Sequence, residues 1–489
     1  MSRHLLVRNE ASVRGRAHQA SQQGHSPRAG KPAPIPLHLA REMQRLNASG
    51  IPRFFLVCIA RADSSAKTTP PYISIVPHRV VCPFCGLACD DVELRVAADR
   101  LDAEVDCARS RLRFGEQRLL ASQPQVAGRA ATAEEALSAA QQILDGGERI
   151  LVTGLAVDVA GARAAVRLAQ RRNAVLGHLA SSRALPNQRM FERRGWITTT
   201  YSEARNHADC FVLVGTDAIG AYPRFVQRVA APAQALFSSV ADRRVHYLGP
   251  PDAALAGKLA PLALGLTHDA EGGAILDALL RITAGVRGVA RSDEASTPAW
   301  VETLQRAKYG VIAWEAGRLP APHAELIVEA ILALIEALNV KTRFAGLPLV
   351  PDTTLTTTNQ VTGWLAGFGL PVAFVDGVPT HDAERFSAAR WIEAGVPDVV
   401  VNVAAWAGAP RARVGAAREI VVAPALDAKQ PAPEIFIPVA VPGVHVRGQI
   451  FRADGVVALP LVPFVEASVP SVAEVLARLG GVAAGSALA

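Results

Sequence analysis

A chain of 489 residues is too long for one hydrophobic core and should divide into about three or four units. Half of its residues are hydrophobic and 19% are charged, the balance of an ordinary globular protein. The formal net charge of +7 sits in residues 1–75, where 11 Lys/Arg face 3 Asp/Glu, so the remainder is near neutral and a basic nucleic-acid footprint across it is excluded.

Residues 1–75 read as a disordered basic tail, rich in Arg, Ser, Gln, His and Pro, as in "RGRAHQASQQGHSPRAGKPAPIP". Their one apolar run, "FFLVCIA" (54–60), is too short to span a bilayer and too far from Met1 for a secretory signal or membrane anchor. The expectation is a cytoplasmic protein with no membrane association. Composition changes abruptly near "PPYISIVPHRVVCPFC", as it would if translation began further downstream.

The next segment, 76–125, is a small cysteine domain. "VCPFCGLACDD" (81–91) and the later Cys107 give C-x2-C-x3-C-x17-C, four of the six cysteines of the chain. Secreted disulfides do not suit a large chain without an export signal. Zinc favours paired C-x2-C units, and the second pair is missing. A [4Fe–4S] cluster accepts three close thiolates and a distant fourth, so Cys82, Cys85, Cys89 and Cys107 are read as its ligands. Zinc, or four structural cysteines without metal, stay open as alternatives. Cys58 lies in the tail and Cys210 opens a buried strand; neither is given a role.

Beyond the cysteines, short apolar runs alternate with amphipathic stretches. Strands are expected at 149–154, 210–215, 245–249, 309–314, 371–375, 398–403 and 419–423, each a continuous run suited to a parallel strand buried on both faces. Helices are expected in "AEEALSAAQQIL", "VAGARAAVRLAQRR" and "HAELIVEAILALIEAL". The fold class is α/β with two open parallel sheets: one domain from 126–180 and 310–480, a second from 181–309, and a flexible end at 481–489. Ligands in such sheets gather at the carboxyl ends of the strands, where "VGTDAIGAYP" and "WEAGRLP" emerge.

Four segments in order resemble the B subunit of formylmethanofuran dehydrogenase, a member of the molybdopterin oxidoreductase superfamily. They are "CPFCGLACDD", "EARNHADCFVLVGTDAIGAYPR", "TTNQVTGWLAGF" and "IPVAVPGVHVRGQIFRADGVVALP", and the likeness runs from residue 78 to about 460. The resemblance implies a molybdopterin-oxidoreductase-like architecture without the C-terminal β-barrel domain, which in this family is a separate small subunit. It also implies a site where two pterins and one cysteine thiolate hold molybdenum or tungsten. At the matching place in "LASSRALPNQRM" (179–190) stands Ala184, followed by Leu185 and Pro186 instead of His and Gly. None of these side chains can ligate a metal. His178, Arg183, Arg189, Gly215 and Arg224 would line what is left of the cofactor cavity, while Asp454 in "RADG" is explained by turn formation alone.

These departures resemble the branch found in bacterial formyltransferase/hydrolase complexes, whose chemistry resides on other subunits. The resemblance implies a scaffold in formaldehyde oxidation, with a retained iron–sulfur cluster, without molybdopterin or molybdenum/tungsten, and with a hydrolase, a formyltransferase and a small subunit as partners. Two alternatives stand beside it: a redox-active molybdenum/tungsten subunit with an unusual ligand, favoured by the four retained thiols, and a zinc-binding α/β module.

Overall fold

The computed structural model describes residues 78–97, 99–215, 218, 220–249, 275–289, 301–350 and 353–482. The basic tail, Cys58, Thr216 and most of the segment 481–489 lie outside the described residues.

The first described unit is a three-stranded antiparallel sheet, His78–Val80, Val92–Ala97 and Arg100–Glu104, followed by the helix Ala108–Gly115. Val92, Leu94 and Val96 alternate with exposed Glu93, Arg95 and Ala97, the period-two signature of a sheet with one buried face. That face packs into one hydrophobic core together with the cysteine loop and with residues of both larger sheets, Phe211 and Leu213 of one and Val152 and Val401 of the other.

Both larger sheets have parallel centres, which confirms the α/β class. A four-stranded sheet runs in the order Phe344–Pro348, Gly310–Trp314, Cys210–Val214 and Arg244–Leu248, all parallel. A nine-stranded sheet has five parallel strands at its centre, in the order Val175–Leu176, Ile150–Ala156, Val399–Ala404, Arg418–Ala423 and Ile435–Pro438. Every expected strand is present, and the three expected helices become Ala133–Asp145, Val159–Arg171 and Ala324–Leu338.

Two expectations need correction. The strand Val372–Val375 is antiparallel to its neighbour Val175–Leu176, because it belongs to a hairpin with Val378–Thr380 that closes one edge of the sheet. The boundary at 309/310 also moves: Gly310–Trp314 pairs with Cys210–Val214, so residues 310–348 belong with the four-stranded sheet. The strand Phe344–Pro348, "FAGLP", was not foreseen, since its Gly and Pro break the apolar run that marks the others.

In the four-stranded sheet the connections diverge between Cys210–Val214 and Gly310–Trp314; in the larger one they diverge between Ile150–Ala156 and Val399–Ala404. Such switch points open a crevice at the carboxyl ends of the strands. In the small sheet the helix Ser181–Arg194 is fixed over that end: its Asn187 side-chain oxygen accepts from the indole N–H of fully buried Trp314 at 2.8 Å. Among the described residues no helix is long and apolar enough to cross a membrane.

His246, buried in the strand Arg244–Leu248, titrates at about 4, lowered first by burial and then by neighbouring Arg244. An unfolded histidine takes up its proton near pH 6.5. Between these values the unfolded state binds more protons, so stability is full above the upper value and falls as pH drops through the window. Burial lowers His445 as well, which acts in the same direction. Urea unfolding at pH 7 and pH 5 should show this loss, and His246→Phe should flatten most of it. An unchanged pH slope in that variant would refute the assignment.

Candidate functional site

The cysteine loop leaves the strand His78–Val80 and reverses on two backbone bonds, Cys82 N–H to Cys89 O at 2.8 Å and Ala88 N–H to Cys85 O at 3.1 Å. Ala88 takes a left-handed φ of 46°, which folds the loop back on itself. Cys107 caps the helix Ala108–Gly115 from the other side. All four thiols are buried and none is in a disulfide. Burial pushes Cys85 up to about 12, reinforced by the charge of Cys89; burial and then Cys85 push Cys82 higher still. Burial also raises Cys89, with Arg228 and Arg224 pulling the other way. Cys82, Cys85 and Cys89 share one apolar core, and burial keeps their thiols protonated at neutral pH unless a metal displaces the protons; Cys107 is buried beside the helix that follows.

Among the described residues no three His, Cys, Asp or Glu side chains form a group that could hold a metal ion. A cubane cluster distributes its four thiolates over four irons, and an all-cysteine donor set is the one it takes.

Hydrogen bonds tie this small unit to both sheets. Toward the four-stranded sheet, Arg224 grips Asp91 with two bonds of 2.7 Å, Arg228 reaches Asp90 at 2.8 Å and Asp91 at 2.9 Å, and Arg109 donates to the carbonyl oxygens of Gly220 and Ala221. Toward the nine-stranded sheet, fully buried Gln117 accepts from Ala407 N–H at 2.9 Å and donates to Ala407 O at 3.2 Å. The Thr353 hydroxyl donates to Pro83 O at 2.6 Å, and Ala453 N–H donates to Gly86 O at 3.0 Å. The cysteine loop therefore joins segments that lie hundreds of residues apart.

The second group of expected residues is more scattered. Ala184 lies half-buried in the helix Ser181–Arg194, where Pro186 interrupts the second turn. Arg183 and Arg318 both pair with Glu315, the latter at 2.9 Å; Glu315 is only 1% exposed and follows the end of the strand Gly310–Trp314. Arg189 pairs with Glu325 of the helix Ala324–Leu338 at 2.9 Å and with Glu384 in a turn. His178 accepts from Ala180 N–H through Nδ1 at 3.0 Å, so in its neutral form Nε2 carries the proton and donates to the Thr354 hydroxyl at 3.0 Å. Gly215 turns the chain off its strand at φ 62°, where a Cβ would meet Leu319 at 2.7 Å; this is close packing under a loop. Arg224 belongs with the cysteine loop instead of with a cavity beside Ala184, because its guanidinium is spent on Asp91. Asp454 does more than turn the chain: it holds Arg452 and accepts from Tyr201 N–H at 3.0 Å.

Three features escaped sequence reasoning. Glu315 could have been found, since a carboxylate directly after a buried parallel strand stands at a crevice. Gln117, and the five buried threonines of the helix Thr353–Ala366, carried no such signal. Thr357, Thr358 and Thr362 hide by bonding back to carbonyls four residues earlier, a satisfaction that only the finished helix provides.

No protein-family profile matches the chain. The B subunit of a tungsten-containing formylmethanofuran dehydrogenase 2 from Methanocaldococcus jannaschii is 25% identical over 413 residues, spanning 78% of this chain and 92% of the relative. The B subunit of the Fhc formyltransferase/hydrolase complex from Methylorubrum extorquens is 29% identical over 350 residues, 71% of this chain and 91% of the relative. The crystal structure of the FhcABCD complex of that organism, with methylofuran, superposes with a TM-score of 0.64 at 26% identity, over 73% of this chain and 98% of the matched one. The chain is a homologue of formylmethanofuran dehydrogenase B subunits and of the Fhc B subunit. These two relatives carry different chemistry in their names, a tungsten dehydrogenase and a transferase/hydrolase. The residues around Ala184 are what can separate the two for this chain.

Proposed function

We propose that this chain is the B subunit of a formyltransferase/hydrolase complex in one-carbon oxidation, a scaffold that leaves catalysis to a hydrolase subunit and a formyltransferase subunit, with a small subunit as a further partner. The observation that carries this reading is the neighbourhood of Ala184. A methyl group offers no donor to molybdenum or tungsten, the next two side chains are Leu and Pro, and adjacent Arg183 is engaged with buried Glu315. The residues present do not fit a pterin-held metal, and no redox step is derived through one. The likeness to the FhcABCD structure points the same way.

Three finer points belong to the same proposal. The arrangement is that of the molybdopterin oxidoreductases, with a cysteine domain over residues 76–125, two α/β domains and no C-terminal barrel. The protein works in the cytoplasm. Cys82, Cys85, Cys89 and Cys107 hold a [4Fe–4S] cluster that serves as a clamp; such a group supplies one-electron transfer where a redox partner stands near. Four retained thiols are also what favours the second reading, a subunit still active in electron transfer.

Metal and pterin analysis of anaerobically purified protein separates them. About four irons per chain are expected, lost in Cys85→Ser, with no molybdenum, tungsten or fluorescent pterin product. Stoichiometric pterin and metal would restore the dehydrogenase, and one zinc in place of iron would make the loop a zinc module.

A further inference from the structure

The cysteine loop is closed on one side by a single aromatic ring. Tyr222 is fully buried, and its phenol lies against Gly86, so that a Cβ built there would clash with the ring's edge and, at 2.5 Å, with its hydroxyl. Only glycine between Cys85 and Leu87 leaves room for that ring, and the same Cβ would approach Ala453 to 2.6 Å. The Tyr222 hydroxyl donates to Val350 O, just ahead of the threonine helix, and Tyr201 packs edge-on beneath it with ring centroids 6.4 Å apart. Burial keeps the Tyr222 hydroxyl un-ionised, and nearby Tyr201, Cys85 and Glu315 add to that. The ring thus touches the cysteine loop at Gly86 and, through Val350 O, the carboxyl end of the small sheet two residues past the strand Phe344–Pro348, the end at which Glu315 also lies. That end is open to solvent, for the Arg183 and Arg318 side chains that hold Glu315 are 44% and 39% exposed, whereas Cys85 is 5% exposed.

We propose that Tyr222 is a stopper: its ring shuts the cysteine loop off from the crevice at the carboxyl end of the four-stranded sheet and so controls access of soft metal ions and thiol-directed electrophiles to Cys85. The geometry asks for the body of the ring more than for its hydroxyl, because the contact with Gly86 is made by the ring's edge as well as by the oxygen. It also explains why Gly86 stands among the cysteines, where no turn with positive φ requires it: Ala88, not Gly86, takes the left-handed position in this loop. The proposal does not depend on what the thiols bind, or on whether the complex moves electrons.

The test uses the full-length chain, freed of bound metal by a chelator, with N-ethylmaleimide as probe and peptide mass mapping as readout. Cys210, 1% exposed inside the small sheet, is the internal control for global unfolding. In the natural protein and in Tyr222→Phe, Cys85 and Cys210 should both stay protected. In Tyr222→Ala, Cys85 should react about tenfold or more faster while Cys210 stays protected, the mark of a local opening. Gly86→Ala, which displaces the ring without removing it, should expose Cys85 as well. If Tyr222→Ala exposes both cysteines, Tyr222→Leu decides, since it keeps apolar bulk but not the ring's reach, and Cys85 alone should then become reactive. Equal protection of Cys85 in folded Tyr222→Ala or Tyr222→Leu, or a Tyr222→Phe as reactive as Tyr222→Ala, would overturn the stopper.

Discussion

Given its formylated carrier, the assembled complex should release formate at the same rate with and without methyl viologen, and the dye should stay oxidised. The dehydrogenase that the family resemblance implies would use a molybdenum or tungsten ion held in part by a cysteine thiolate. At the place where the family resemblance puts that donor, the chain has the methyl group of Ala184, on a helix whose neighbouring residues are committed elsewhere. Asn187 receives the Trp314 indole, Arg183 holds Glu315, and Arg189 bridges Glu325 and Glu384. A cysteine restored alone would still be followed by Leu185 and Pro186, with Arg183 held by Glu315, so Ala184→Cys should leave the viologen result unchanged. Omitting this chain should separate transferase from hydrolase and stop coupled formate release, while each isolated activity partly survives. Dye reduction coupled to consumption of formate, above the background without the complex, would refute the scaffold.

The fold was legible wherever a strand is buried on both faces. "ILVTGLA", "CFVLV", "GVIAW" and "VVVNVA" are continuous apolar runs because both faces of each strand are buried, and every one became a central parallel strand. Edge elements were harder. The hairpin of Val372–Val375 and Val378–Thr380 reads like a central strand in its first half, and nothing local says that the chain turns at Asp376–Gly377 to close the sheet. Assignment of 310–348 to the wrong sheet has the same root: apolar runs mark strands but do not say which sheet they join.

The candidate site was legible in kind and less so in arrangement. Clustered thiols in "CPFCGLACDD" announced a tight loop, and that loop is present with its cysteines buried and unpaired. What holds the cysteine domain was hidden, because the partners of its residues are far away in sequence: Arg224 for Asp91, Ala407 for Gln117, Ala453 for Gly86. An arginine expected beside a cavity was therefore placed with the wrong neighbours. Its residue type suggested charge recognition; its actual role is to bind a carboxylate of its own chain.

That ion pair should be the most costly single contact to break in the cysteine domain. Arg224 is almost fully covered, its guanidinium meets both oxygens of Asp91 at 2.7 Å, and Arg228 adds an ion pair to the same carboxylate at 2.9 Å. Removing one partner of a buried pair leaves the other charge without compensation, which costs about 3–5 kcal/mol. Asp91 is about one-third exposed, so Asp91→Ala should fall near the lower end, about 3 kcal/mol by urea unfolding. The hydrogen bonds from Arg224 hold the Asp91 carboxyl below its ordinary value, with the charge of Arg228 in support and burial opposing. A lowered carboxylate stabilises the folded state at every pH above its unfolded value, and that contribution is lost as pH falls through the folded one. The gap between the natural protein and Asp91→Ala should therefore be constant from pH 7 down to about pH 5 and close below about pH 4. Asp90→Ala, which removes only an exposed bond to Arg228, should cost under about 1 kcal/mol. If the two variants were equally mild, the bidentate pair would not be what fastens the cysteine loop to the four-stranded sheet, and Arg109, bonded to Gly220 and Ala221, would be left as the fastening on that side.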